Sequence, residues 1–137
     1  MTRSHYRLAF LGGGRTSAVG YVHRVASQLD GRWSVSGGIF SRDPSQSHDT
    51  AEAWGIPLEG LCSDLDELTE RARAGDFDAV AILTPTPEHT FALERLLAAG
   101  VPIICEKALT GSASESEQIR DLQRSSGTFL STTLNYT

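Results

Sequence analysis

Lysine is nearly absent from this chain: Lys107 is the only one, and every other strongly basic side chain is arginine. No cluster of positive charge exists either, and the formal net charge is -5. That combination excludes the electrostatic footprint of a nucleic-acid-binding protein and gives an anionic membrane surface nothing to hold. Cysteine is scarce. Cys62 and Cys105 fall in separate predicted elements with no CxxC or Cys/His spacing, so neither a disulfide framework nor a zinc site is supported, and both read as reduced core residues. The longest apolar runs are far short of a membrane span. The N-terminal Met1-Thr2-Arg3-Ser4-His5-Tyr6 runs straight into a strand-like segment without the apolar stretch or cleavage site of a leader, which predicts a cytoplasmic protein.

What remains is an ordinary soluble composition, 39% hydrophobic and 21% charged. At 137 residues the chain is about one domain, spanning 1–137 and able to bury roughly two thirds of its unfolded surface. Gly31, Gly55, Gly75, Gly100 and Gly127 each close a helix-like stretch ahead of an extended one, 20 to 27 residues apart. That is the length of one βα unit with a left-handed residue at the helix end. Apolar runs predict strands over 6–11, 34–40, 79–83, 102–105 and 128–134, with a weak one near Leu61. Helical spacing predicts helices over 17–29, 46–54, 64–74, 87–99 and 112–126. Thr86 before Pro87, and Ser112 with Glu115, mark two helix starts. Several strands are apolar on both faces, as buried parallel strands are. The alternation therefore predicts an α/β protein: a single doubly wound, Rossmann-like parallel sheet of about six strands. Ligands in such a sheet bind beyond the carboxyl ends of the strands.

The first of these ends carries Gly12-Gly13-Gly14-Arg15-Thr16-Ser17 ahead of a helix. Glycines there allow a tight turn and a close approach of backbone N–H groups to a pyrophosphate, whose charge the helix N-terminus favours. Gly12, Gly13, Gly14, Arg15 and Thr16 are candidate cofactor contacts, although a strict G-x-G-x-x-G has glycine where Ser17 stands. After the second strand come Ser41-Arg42-Asp43-Pro44, where an adenosine ribose lies in this fold. Serine and arginine suit a 2′-phosphate better than a 2′-hydroxyl, so NADP is favoured over NAD. Asp43 before Pro44 reads as a turn residue.

The run 79–83 leads into Thr84-Pro85-Thr86-Pro87-Glu88-His89, a proline-stiffened loop in which Thr84, Pro85 and the N–H groups of the next helix can touch a cofactor. His89 is either another contact or a surface side chain. The next strand gives Glu106-Lys107-Ala108-Leu109. Beside a nicotinamide, an ammonium can hydrogen-bond the reacting hydroxyl or carbonyl, stabilise alkoxide-like charge and relay a proton. Arginine, with its far higher pKa, cannot relay that proton. Lys107 is thus the candidate catalytic residue. Glu106 orients it, accepts from a ribose hydroxyl, or forms a salt bridge at the sheet edge.

With Gly-Gly-Gly after strand one, Thr-Pro-x-x-x-His after the run 79–83, Glu-Lys after the following strand and Leu134-Asn135-Tyr136-Thr137 at the end, the chain resembles the Gfo/Idh/MocA oxidoreductases over essentially its whole length. Ala108 stands where that family's Glu-Lys-Pro has proline. The resemblance implies a nicotinamide dinucleotide, NADP or NAD, lined by Gly12, Gly14, Ser41, Arg42, Thr84, Pro85, His89, Glu106 and Asn135. It places Lys107 beside the hydride donor or acceptor, with no metal. It also implies that this is the cofactor half of an enzyme acting on a sugar, inositol or related polyol. The family's second, C-terminal α/β domain, which walls the substrate and often mediates homo-oligomers, is absent from this sequence.

Two other classes compete. A phosphorelay-like receiver has a similar size and a lysine after its fifth strand, but it needs magnesium-binding carboxylates where strand one here ends in glycines. A free-standing nucleotide-sensing or scaffolding module fits the same loops without catalysis. Full catalysis by this chain alone is not expected, because half the substrate walls would be missing.

Overall fold

The computed structural model describes residues 5–134. Five strands, β1 (Tyr6–Gly12), β2 (Trp33–Ile39), β3 (Ala79–Leu83), β4 (Ile103–Glu106) and β5 (Leu130–Thr133), pair in the order β2-β1-β3-β4-β5. Every pairing is parallel. Helices α1 (Ala18–Gln28), α2 (Pro44–Trp54), α3 (Leu65–Arg73), α4 (His89–Ala98) and α5 (Ala113–Ser126) link them. The five helix-closing glycines all have positive φ, from 67° to 92°, as the βα rhythm requires.

Three local expectations are corrected. No strand forms near Leu61: Leu58–Gly60 make a 3-10 turn after Pro57, joined to the sheet by a single Gly38–Leu61 bridge. Gly37, lacking a Cβ, lets the turn pack closely on the β2 backbone: a Cβ there would stand 2.0 Å from the Gly60 carbonyl oxygen. The segment meets β2 at that one parallel bridge, with the Cys62 amide donating to Gly38 O, and extends no ladder from it. Helix α2 starts at Pro44, earlier than its apolar pattern indicates, because Asp43 is its N-cap and accepts from the Ser45 amide at 2.9 Å. Helix α4 starts at His89, since Thr86–Glu88 form a 3-10 turn first. The Ser112/Glu115 capping box is present, with the Glu115 amide donating to Ser112 Oγ at 3.2 Å.

Side chains pack on both faces of the sheet. On one, Leu68, Leu93, Leu96, Leu97 and Ile119 of α3, α4 and α5 cover Val80, Ile82, Ile103 and Cys105. On the other, Phe10 and Phe40 meet Trp54 edge to face, with centroids 6.1 and 5.4 Å away, beside Leu8, Ala79 and Ala81. Every residue of β3 is buried, which is why its sequence shows a continuous apolar run instead of alternation. The chain leaves β1 through α1 toward β2 on one side, whereas β3 continues through α4 toward β4 on the other. The crevice at the carboxyl ends of β1 and β3 is therefore a topological switch point, where this class of sheet binds ligands. No helix among the described residues is long and apolar enough to cross a membrane.

Candidate functional site

The turn after β1 is shaped by missing side chains. Gly12 and Gly13 have φ of 84° and 70°, and a Cβ on Gly13 would come within 2.5 Å of Leu83 Cδ1. Ser17 caps α1, its Oγ accepting from the Gly20 amide at 3.1 Å. The close packing expected of a glycine at position 17 is supplied instead by Gly20, a buried helical residue outside the strict motif. A Cβ on Gly20 would lie 1.9 Å from the Gly13 carbonyl oxygen. A glycine inside an otherwise good helix costs about 1 kcal/mol relative to alanine, so its presence there was a legible sign of a packing demand.

Two amides expected to reach a pyrophosphate are already engaged. The Gly14 amide donates to Phe40 O and the Arg15 amide to Thr50 Oγ1, each at 3.1 Å. They tie the turn to the end of β2 and to α2. The turn borders a cavity of about 410 Å³ lined by Gly13 to Ser17, Phe40 and Ser41, together with Gln46, Asp49 and Thr50 of α2. The sequence motif does not mark those last three, because they come from the helix beyond the ribose loop.

At the ribose end, the Ser41 amide donates to Ser47 Oγ at 3.0 Å, and Ser41 Oγ donates to Gln46 Oε1 at 3.2 Å. The Asp43 carboxyl points back to its helix, and hydrogen bonds from the Ser45 hydroxyl and amide hold it below the ordinary carboxylate range. Arg42 is exposed and pairs with Glu88 from the 3-10 turn after β3.

His89 is neither a surface side chain nor an open contact. It is fully buried, with Nε2 2.7 Å from Thr84 O and Nδ1 2.8 Å from Ala108 O. The ring bridges the loops after β3 and β4 and has no accessible nitrogen left for a cofactor. Thr84 Oγ1, at the switch point, is a buried oxygen without a hydrogen-bond partner among the described residues. Pro85 is exposed at the start of the 3-10 turn.

Glu106 is also committed inward. Its Oε1 accepts from His23 Nε2 and from Thr133 Oγ1, both at 2.7 Å, and its Oε2 accepts from the Lys107 amide at 3.3 Å. Burial alone raises this carboxyl; the bonds from His23 and Thr133 outweigh that and hold it below its ordinary value. It therefore braces the Lys107 loop against α1 and β5 instead of lying at a solvated sheet edge. Lys107 itself is exposed, with no ion pair among the described residues, and its peptide bond to Ala108 is cis. Cys105 is no nucleophile: burial first, then the Glu106 charge, pushes its thiol up to about 12. Asn135 lies outside the described residues.

The loops after β1, β2, β3 and β4 thus open on one rim of the sheet. A glycine cradle that any Cβ would fill, an adjoining cavity and an orphaned threonine oxygen fit an extended dinucleotide. Residues 6–134 match the oxidoreductase family with an NAD-binding Rossmann fold. The chain is 30% identical over 133 residues to the uncharacterized oxidoreductase YfiI of Bacillus subtilis (strain 168), covering 95% of this chain and 34% of that protein. It is 32% identical to the inositol 2-dehydrogenase of Arthrobacter sp. (strain FB24), covering 82% of this chain and 31% of the relative. An inositol dehydrogenase homolog from Azotobacter vinelandii, solved with NAD+, superposes with a TM-score of 0.88 at 29% identity, over 95% of this chain and 34% of that one. The chain spans about a third of the length of these proteins.

Proposed function

Because this chain belongs to the Gfo/Idh/MocA oxidoreductase family, we propose that it is the dinucleotide-binding part of an enzyme moving hydride between a nicotinamide and a sugar, inositol or related polyol. The observation that carries this is the shared rim: the glycine turn, the ribose loop and the Lys107 loop all lie at carboxyl ends of strands of one parallel sheet. When bound, the nicotinamide supplies the hydride acceptor or donor. The chain's own residues do the rest. Gly12, Gly13 and Gly14 keep the crevice clear for the pyrophosphate, with Arg15 and Thr16 on its open side. Ser41 and Arg42 border the ribose, and Thr84 and Pro85 flank the path toward the nicotinamide.

Lys107 holds a proton at Nζ beside the reacting carbon–oxygen bond, where an exposed ammonium can give or take it and can stabilise developing negative charge on oxygen. Glu106 and His89 position that loop from within. The kinship with inositol 2-dehydrogenases supports the polyol class of substrate. A cytoplasmic location is supported by two buried, unpaired thiols. A homo-oligomer is the accompanying proposal for the whole enzyme, supported by exposed Tyr21, Val22 and Leu29 on and just after α1. Calorimetric titration with NADH and NADPH tests the reading: saturable binding of at least one is expected, and no binding of either at millimolar concentration would remove it.

A further inference from the structure

From the Arg42–Glu88 ion pair we infer that Glu88 is a specificity-determining residue that disarms Arg42 and turns this site toward NAD(H), against the NADP preference that serine and arginine by themselves indicate. The inference rests on the dinucleotide reading and sharpens it. Arg42 follows β2, Glu88 lies in the turn after β3, and β1 with its glycine turn runs between those two strands. The pair is therefore a strap across the switch point, over the strand end where the dinucleotide passes. Arg42 Nη2 is bonded to Glu88 Oε1, with the arginine side chain largely exposed and the glutamate one third exposed.

Arginine recognises a 2′-phosphate through its planar fork of donors, and here that fork is already partly occupied by a carboxylate. A 2′-phosphate would have to displace Glu88 while the freed carboxylate stayed close by. The surrounding charge does not help. Asp49 and Arg15 both line the adjoining cavity, one charge of each sign, and Asp43 is a carboxylate held ionised at the helix cap. A ribose with a free 2′-hydroxyl brings no charge and leaves the strap intact. Selection against the phosphate thus comes from a repulsive element placed on a neighbouring loop, 46 residues from the arginine it controls.

The test is calorimetric titration of NADH and NADPH against the wild-type chain, Glu88→Gln, Arg42→Ala and the double variant, with thermal melts to confirm that each is folded. Wild type binds NADH more tightly than NADPH. Glu88→Gln raises NADPH affinity by roughly three- to tenfold, the scale of one exposed ion pair plus one removed like charge, and leaves NADH within about twofold. In the Arg42→Ala background the same change moves the NADPH-to-NADH ratio by less than in wild type, since only the removed like charge remains to act. A wild-type preference for NADPH, or a ratio unmoved by Glu88→Gln, would overturn the inference while leaving the dinucleotide site intact. Binding of neither cofactor to wild type would overturn the site reading itself, and the inference with it.

Discussion

The two sides of the crevice are built by opposite means. On the glycine side, backbone touches backbone: the Gly13 carbonyl rests on the Cα of Gly20, and the turn is stitched to β2 and α2 through main-chain amides. On the lysine side, two buried polar side chains hold the loop, Glu106 through His23 and Thr133, and His89 through the carbonyls of Thr84 and Ala108. The first side tolerates no added atom, and the second tolerates no removed partner. Under the proposed function, steric exclusion suits a phosphate chain that approaches backbone closely, and hydrogen-bonded bracing suits the aiming of one ammonium.

That contrast can be broken by substitution. The largest effect is expected for Gly20→Ala. Helix propensity alone would stabilise the variant by about 1 kcal/mol, but a Cβ 1.9 Å from the Gly13 oxygen forces the helix off the turn. A net loss of about 3 kcal/mol is expected in urea unfolding, with NADH binding abolished. A variant more stable than wild type would end the steric account. Next comes His89→Leu, which keeps the volume roughly constant and removes the ring nitrogens that face the carbonyls of Thr84 and Ala108. The expected cost is about 2–3 kcal/mol, the upper part of the about 1–3 that a buried acceptor left unpaired is worth.

Glu106→Gln should cost less, about 1–3 kcal/mol at neutral pH, because an amide oxygen can still accept from His23 or Thr133 but without charge. Its pH dependence is the sharper readout. The folded carboxyl titrates below its ordinary 4.5, so its stabilising contribution is present above that value and is lost as pH falls through the folded pKa. Wild-type stability should therefore fall more steeply than that of the variant below about pH 4.5, and parallel acid limbs would show that the network adds no pH-dependent stability. The smallest stability change, within about 0.5 kcal/mol, is expected for Lys107→Ala, an exposed side chain without an ion pair. Under the proposed function, in a longer form that carries a substrate domain, the same change should lower kcat by roughly 10²-fold with little effect on cofactor affinity. Equal losses in both would make Lys107 a binding residue.

Local chemistry carried much of this into the linear pattern. The continuous apolar run at 79–83, the helix-closing glycines and the Ser112/Glu115 cap are each decided by residues within a turn of one another, and each stands where the sequence indicates. The Gly-Gly-Gly turn and Glu-Lys pair are likewise found at carboxyl strand ends, those of β1 and β4, with β3 between them. Position 61 failed for a reason outside its own segment, since the 3-10 turn over 58–60 packs its Gly60 carbonyl against the Cβ-less Gly37 of β2.

By itself, then, the sequence determined the βα alternation, the parallel sheet and the rim on which a ligand must lie, because turn chemistry and apolar periodicity act over a few residues. Tertiary structure alone decided that Gly20 completes the cradle, that Arg42 meets Glu88, that His89 turns inward and that Glu106 reaches His23 across 83 residues of chain. Those partners are set by how the strands order themselves, and a side chain's polarity indicates that it needs a partner without indicating which distant loop will supply it.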